Sequence, residues 1–153
     1  MVVGVRTFVS NIFVGLNKAY IYIWLSKSHS FVYVGQTNER YGTWGRGYAH
    51  IQDTGTLRCR CEDKLGIYLD YVEDLVLFSY VLPNQPEFLG VESSYRLAVE
   101  YLVQVNLHQI RKDVVPKFSI VSNIVSTDRT ADKLVKDLAD SIVKDFFIRY
   151  KDS

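Results

Sequence analysis

The sequence predicts an α+β domain, and three observations carry that expectation. Tyr20 to Leu25 and Phe31 to Gly35 are β-branched and aromatic runs on either side of a polar stretch, Ser26 to Ser30, which is the pattern of a β-hairpin. Asp74 to Leu82 is apolar apart from Asp74 and Ser79 and is closed by Pro83 and Pro86, so it reads as a buried third strand. Ser93 to His108 places Tyr95, Ala98, Val99, Leu102 and Val105 at helical spacing, so that helix should lie on the sheet. The expected architecture is a central, mainly antiparallel three-stranded sheet flanked by helices, with a C-terminal strand and helix added. At 153 residues the chain suits one core, so residues 1–153 are read as one domain, with a core of about 19–106 and an extension over 107–153.

Side chains alternate across a strand, so Ile21, Ile23 and Leu25 should share an aliphatic face with Val32 and Val34. Tyr20, Tyr22, Trp24, Phe31, Tyr33 and Gly35 fall on the opposite, aromatic face. Gln36 to Gly42 is a polar link into a short helix over Thr43 to Asp53, for which Thr43 is the candidate cap. Glu62 to Tyr71 is amphipathic and predicted helical. Phe118 to Val125 reads as an added strand, and Thr130 to Tyr150 as a terminal helix with Leu134, Leu138, Ile142, Val143 and Phe146 on its apolar face. Phe147 and Ile148 broaden that band, which motivates a homodimer on the substrate.

No apolar run is long enough to span a bilayer, and Met1 to Lys18 lacks a charged start before an apolar block. A soluble, cytoplasmic protein with no membrane partner is expected. Cys59 and Cys61 stand one residue apart, a poor disulfide geometry and too few ligands for structural zinc, so both should be reduced thiols. The formal net charge is only +1, but it is unevenly placed. Met1 to Arg60 carries seven basic residues against two acidic ones, net +5, whereas Cys61 to Glu100 carries eight acidic against two basic, net −6. A polyanion-binding face beside a cation-binding one would show that asymmetry.

Chemistry concentrates in one ordered set of residues. Tyr20-Ile21-Tyr22 is followed, after ten intervening residues, by Tyr33-Val34-Gly35. Arg46 stands eleven positions beyond Gly35, and His50 four beyond Arg46, one helical turn away. Glu100 follows the third strand within Leu97-Ala98-Val99-Glu100-Tyr101-Leu102-Val103. This order resembles the signature of the GIY-YIG nuclease family, over roughly Tyr20 to Asn106. Tyr20 stands where the family name has Gly, and Val34 where it has Ile.

The resemblance implies a metal-dependent DNA endonuclease that hydrolyses phosphodiester bonds, restriction-like or associated with a mobile element. It implies one divalent cation, Mg²⁺ or Mn²⁺, held by Glu100, with Glu92 as the competing ligand. Duplex DNA is the implied partner. Tyr22 becomes the general base, Tyr33 places the water or phosphate, and His50 hydrogen-bonds the base or accepts its proton. Arg46 offers the phosphate an always-charged, bidentate donor. Gly35, Gln36 and Arg40 are the candidate substrate-binding residues. Asn106 or Asn123 corresponds to an Asn often found near the end of the family's core. Singly, each residue has an ordinary reading: a cross-strand tyrosine pair, a solvated Arg/His face, a surface Glu. His29 and His108 are read as surface residues. The alternative function is a non-catalytic nucleic-acid-binding or interaction domain on the same scaffold.

Overall fold

Aromatic and β-branched residues at alternate positions build the hairpin at the centre of the structure. β1 (Tyr20–Ser26) and β2 (Phe31–Thr37) pair antiparallel, with Tyr22 opposite Gly35 and Trp24 opposite Tyr33. The computed structural model describes residues 18–90, 94–114 and 116–152. Ser30, at φ 53°, takes the left-handed conformation that closes the hairpin turn. Asp74 fixes that turn from outside: its carboxylate accepts hydrogen bonds from Ser26 Oγ at 2.6 Å, Ser28 Oγ at 2.7 Å and the Ser28 N–H at 2.8 Å.

β3 (Val76–Val81) joins the other side of β1 antiparallel, and β4 (Ser119–Ile120) joins β2 in parallel. The sheet is therefore four-stranded and mixed, in the order β3-β1-β2-β4, rather than three-stranded with a separate addition. The predicted strand over Phe118 to Val125 shrinks to two residues. Beyond them the edge of β2 is satisfied by side chains: the Val34 N–H donates to Ser122 Oγ at 3.1 Å, and Gln104 Nε2 donates to the Val34 carbonyl at 3.5 Å.

The two faces of the hairpin separate as the alternation predicts. Ile21, Ile23, Leu25, Val32 and Val34 pack with α4 (Ser94–Ile110) and α5 (Lys133–Asp152), whereas Tyr22, Trp24, Phe31 and Tyr33 pack with Leu57 and Cys61. Those last two residues come from α2 (Thr56–Leu65), so the helix predicted over Glu62 to Tyr71 lies about one and a half turns earlier. Gly66, at φ 63°, ends it, and Leu69–Tyr71 forms only a 3₁₀ turn.

The first helix, α1 (Gly42–Ile51), also differs from expectation at its start. Thr43 lies inside it and is not its cap; its hydroxyl meets Ser79 Oγ of β3 at 2.6 Å and pins the helix to the sheet. Gly42, at φ 63°, makes the turn into the helix. A short helix, α3 (Pro86–Leu89), precedes α4.

α5 starts three residues later than predicted, and its buried face is Val135, Ala139, Ile142, Val143, Phe146 and Tyr150. Leu134 is 39% exposed, and the phase of the helix gives its place to Val135. Phe147 packs partly into the chain's own core, whereas Ile148 remains exposed. Lys27 Nζ, at the hairpin turn, donates to the Tyr150 carbonyl at 2.8 Å, placing a cation at the C-terminal end of α5. Residues beyond 107 thus share one core with the hairpin. No helix among the described residues is long and apolar enough to cross a membrane. Cys59 and Cys61 are free thiols, and burial pushes Cys61 up to about 11.

Phe146 is fully buried, with its ring centroid 5.3 Å from that of Phe78 and 6.2 Å from that of Phe118. Phe146→Ala should therefore cost about 3–5 kcal/mol of global stability. Urea unfolding followed by fluorescence and by circular dichroism should show one coincident transition in both proteins, shifted in the variant. Separate transitions would mean that α5 folds apart from the sheet.

Candidate functional site

Tyr22 projects from the middle of β1 and is 1% exposed. Its cross-strand partner is Gly35, where an added Cβ would overlap the Tyr22 phenol ring. Glycine at that position is what lets the ring lie across β2. Burial raises the Tyr22 pKa above its ordinary value, and Tyr33 adds to the shift. Arg46 opposes it by charge and hydrogen bonding, while Glu100 raises it further. The resting phenol is protonated.

His50 closes on this tyrosine from α1. It is 1% exposed, and its Nε2 lies 2.5 Å from Tyr22 Oη. Its Nδ1 accepts the backbone N–H of Leu57 at 3.2 Å. That N–H belongs to the first turn of α2, whose cap residue Gly55 supplies no side-chain bond, so the imidazole satisfies a donor the helix leaves open. With Nδ1 accepting, the proton sits on Nε2, and His50 donates to Tyr22 Oη. Burial, and then the Arg46 charge, lower the His50 pKa to about 4. The expectation that His50 accepts the tyrosine proton is therefore corrected: both ring nitrogens are engaged, and a donor at Oη favours the phenolate once it forms. Gly55 allows this approach, because a Cβ there would overlap the His50 carbonyl.

Tyr33 stands edge-on to the His50 ring at 4.8 Å between centroids. Burial raises its pKa, as does Glu100, while Arg46 and Arg60 lower it. Arg46, one turn before His50, is exposed and forms no ion pair with a described carboxylate.

Glu100, on α4, completes the group, since its charge acts on both phenols. Burial pushes its pKa up to about 7 against the opposing charges of Arg96 and Arg46. Arg96 was not foreseen from the sequence. It is 3% exposed, donates to Gln36 Oε1, and reaches the Phe88 and Gly90 carbonyls at 2.6 and 2.8 Å. Its signal was the spacing Arg96, Glu100, Gln104, a polar stripe at every fourth residue of a helix otherwise read for its apolar face.

Among the candidate substrate-binding residues, Gly35 serves Tyr22, and Gln36 has its amide oxygen committed to Arg96. Arg40 stays at the surface, 5.8 Å from the Tyr41 ring centroid. Glu92 lies outside the described residues. The two asparagines separate clearly: Asn106 donates to Asp140 at 3.1 Å, between α4 and α5, whereas Asn123 lines a cavity shared with Tyr33 and Glu100.

No group of three or more His, Cys, Asp or Glu converges among the described residues. A single carboxylate nevertheless fits a hard divalent cation that keeps several waters and takes oxygens from a phosphate. Glu100 is suited to that role, being a half-buried carboxylate whose positive neighbours do not restore its ordinary acidity. Comparison with protein-family models, characterised proteins and solved structures returns no match to this chain.

The paired shifts make a pH prediction. His50 has a folded pKa of about 4 against an ordinary 6.5, so the folded state binds fewer protons in that window and stability falls as pH drops through it. Glu100 has a folded pKa of about 7 against an ordinary 4.5, so its contribution is present at low pH and is lost as pH rises through the window. The two nearly cancel between pH 4.5 and 6.5. In chelator, Glu100→Gln should therefore gain stability with rising pH, and His50→Gln should lose it, with slopes approaching ~1.4 kcal/mol per pH unit. Denaturant midpoints at four or more pH values would measure both; slopes of the same sign would contradict the assigned shifts.

Proposed function

We propose that this chain is a metal-dependent DNA endonuclease of the GIY-YIG type. The reading rests on one observation: Tyr22, Tyr33, Arg46, His50 and Glu100, from β1, β2, α1 and α4, form one electrostatically connected group. Phosphodiester hydrolysis needs an activated water, neutralisation of phosphate charge and stabilisation of the departing oxygen. Glu100 would hold the divalent cation, which when bound supplies Lewis-acid polarisation of the phosphate and its leaving oxygen.

The chain's own residues then have separable tasks. Arg46, which lacks a carboxylate partner among the described residues, presents two parallel donors to a non-bridging phosphate oxygen pair. The Tyr22 phenol first gives up its proton to solvent, and as a phenolate its Oη then takes the proton of the attacking water. The His50 Nε2–H and the Arg46 guanidinium hold the resulting phenolate. Tyr33 orients the water or phosphate from the neighbouring strand. Duplex DNA is the substrate class, and double-strand breaks require either two encounters or two copies of the chain. The second reading, a non-catalytic nucleic-acid-binding domain, is favoured by the isolation of Glu100 as a metal ligand.

Incubation with supercoiled plasmid and Mg²⁺ or Mn²⁺ should yield nicked and then linear DNA. Tyr22→Phe, Arg46→Ala and Glu100→Gln should each lower the rate by about 10²–10⁴-fold. Binding that is independent of metal, with no cleavage at any cation and no effect of the three variants, would establish the second reading instead. Accumulation of nicked circles well ahead of linear product would indicate sequential action by single chains; concerted linearisation would indicate a dimer on DNA.

A further inference from the structure

A cavity of ≈420 Å³ opens beside Glu100, lined among others by Tyr33, Arg60, Tyr101, Gln104 and Asn123. That volume falls within the range of about 300–1,000 Å³ typical of small-molecule sites. Its wall is built rather than incidental. Gln104, 1% exposed, donates from Nε2 to Ser122 Oγ and to the Asn123 carbonyl, both at 3.2 Å. Lys64 Nζ reaches Asn123 Oδ1 at 3.4 Å, tying the same loop to α2.

Arg60 enters this space from α2. It is half-buried, forms no ion pair with any described carboxylate, and its charge acts on the Tyr33 phenol. Its helix neighbour Arg58 contrasts with it, being paired to Asp70 at 3.0 Å. A guanidinium kept partly from water, with no carboxylate partner among the described residues, beside an aromatic-lined cavity is a binding group for an anion that arrives from outside.

We infer that Arg60 is a second phosphate-binding residue and that the cavity takes the nucleotide adjoining the scissile bond. The inference rests on the nuclease reading and extends it. Arg46 holds the scissile phosphate from α1, and Arg60 holds the next phosphate along the strand from α2. Tyr101 offers a face on which the intervening base can stack, and the Asn123 amide offers it hydrogen-bond donors.

Binding of a fluorescent duplex oligonucleotide in EDTA, measured across KCl concentrations, tests the assignment alongside metal-dependent cleavage. Arg60→Gln should weaken binding by about tenfold or more and reduce the slope of log K against log[KCl] by about 0.9. Its KM for cleavage should rise by a similar factor, with kcat within about threefold of wild type. Arg60→Lys keeps the charge and should restore most of the salt slope, which a purely structural role would not predict. Thymidine 3′,5′-bisphosphate should inhibit the wild type competitively and Arg60→Gln about tenfold more weakly. A wild type that cuts DNA while Arg60→Gln retains its salt slope and KM overturns the Arg60 assignment alone. A wild type that neither cuts nor binds overturns the nuclease reading beneath it.

Discussion

His50 is the joint on which the site depends. One imidazole joins β1, through Tyr22, to the first turn of α2, through the Leu57 N–H, while its own backbone belongs to α1. Because each ring nitrogen has a fixed partner, the tautomer is set by the fold, and the buried phenol receives a hydrogen bond from the ring. Loss of the imidazole would leave the buried Leu57 N–H without this acceptor, at a desolvation cost of about 1–3 kcal/mol, and would take one hydrogen bond from the Tyr22 phenol. Two glycines make room for the arrangement: Gly35 under the tyrosine ring and Gly55 against the histidine carbonyl.

A second constraint comes from α4. Arg96, Glu100 and Gln104 repeat at one helical interval and bring polar groups to β2. Arg96 and Gln104 are satisfied by named partners, whereas the burial of Glu100 is offset, among the described residues, by the charges of Arg96 and Arg46. Its shift to about 7 follows from that imbalance. The same strip completes the sheet edge, where β4 ends and the hydroxyl of Ser122 and the amide of Gln104 take over from a strand. The cavity exists because those side chains, rather than a continuous backbone, close the edge.

Much of this was legible in the chain. Alternation fixed the two faces of the hairpin, and the order of Tyr22, Tyr33, Arg46, His50 and Glu100 picked out a group that the structure brings together. The register of α2 was not legible, because its buried face consists of only Leu57 and Cys61, and the stronger apolar pattern around Leu65 to Leu69 belongs to a cap and a 3₁₀ turn. Gly66 marked that helix end in the sequence, yet its left-handed conformation became meaningful only with the neighbouring turn in place. Arg96 and Gln104 were missed for a different reason. A buried polar residue has no periodic signature of its own, and its value depends on partners far along the chain, such as Gln36 and Ser122.

Those long separations bear on how the protein is made. The hairpin and α1 are contiguous, so both phenols, Arg46 and His50 emerge from the ribosome early. The carboxylate arrives 54 residues after Arg46, the loop carrying Asn123 later still, and the tie from Lys27 to the Tyr150 carbonyl closes over 123 positions. Contacts of such span form late, after the chain entropy between them has been overcome. A nascent chain therefore carries both phenols, Arg46 and His50 before it carries Glu100. On the proposed reading, the order of synthesis itself delays the appearance of a potentially genotoxic activity.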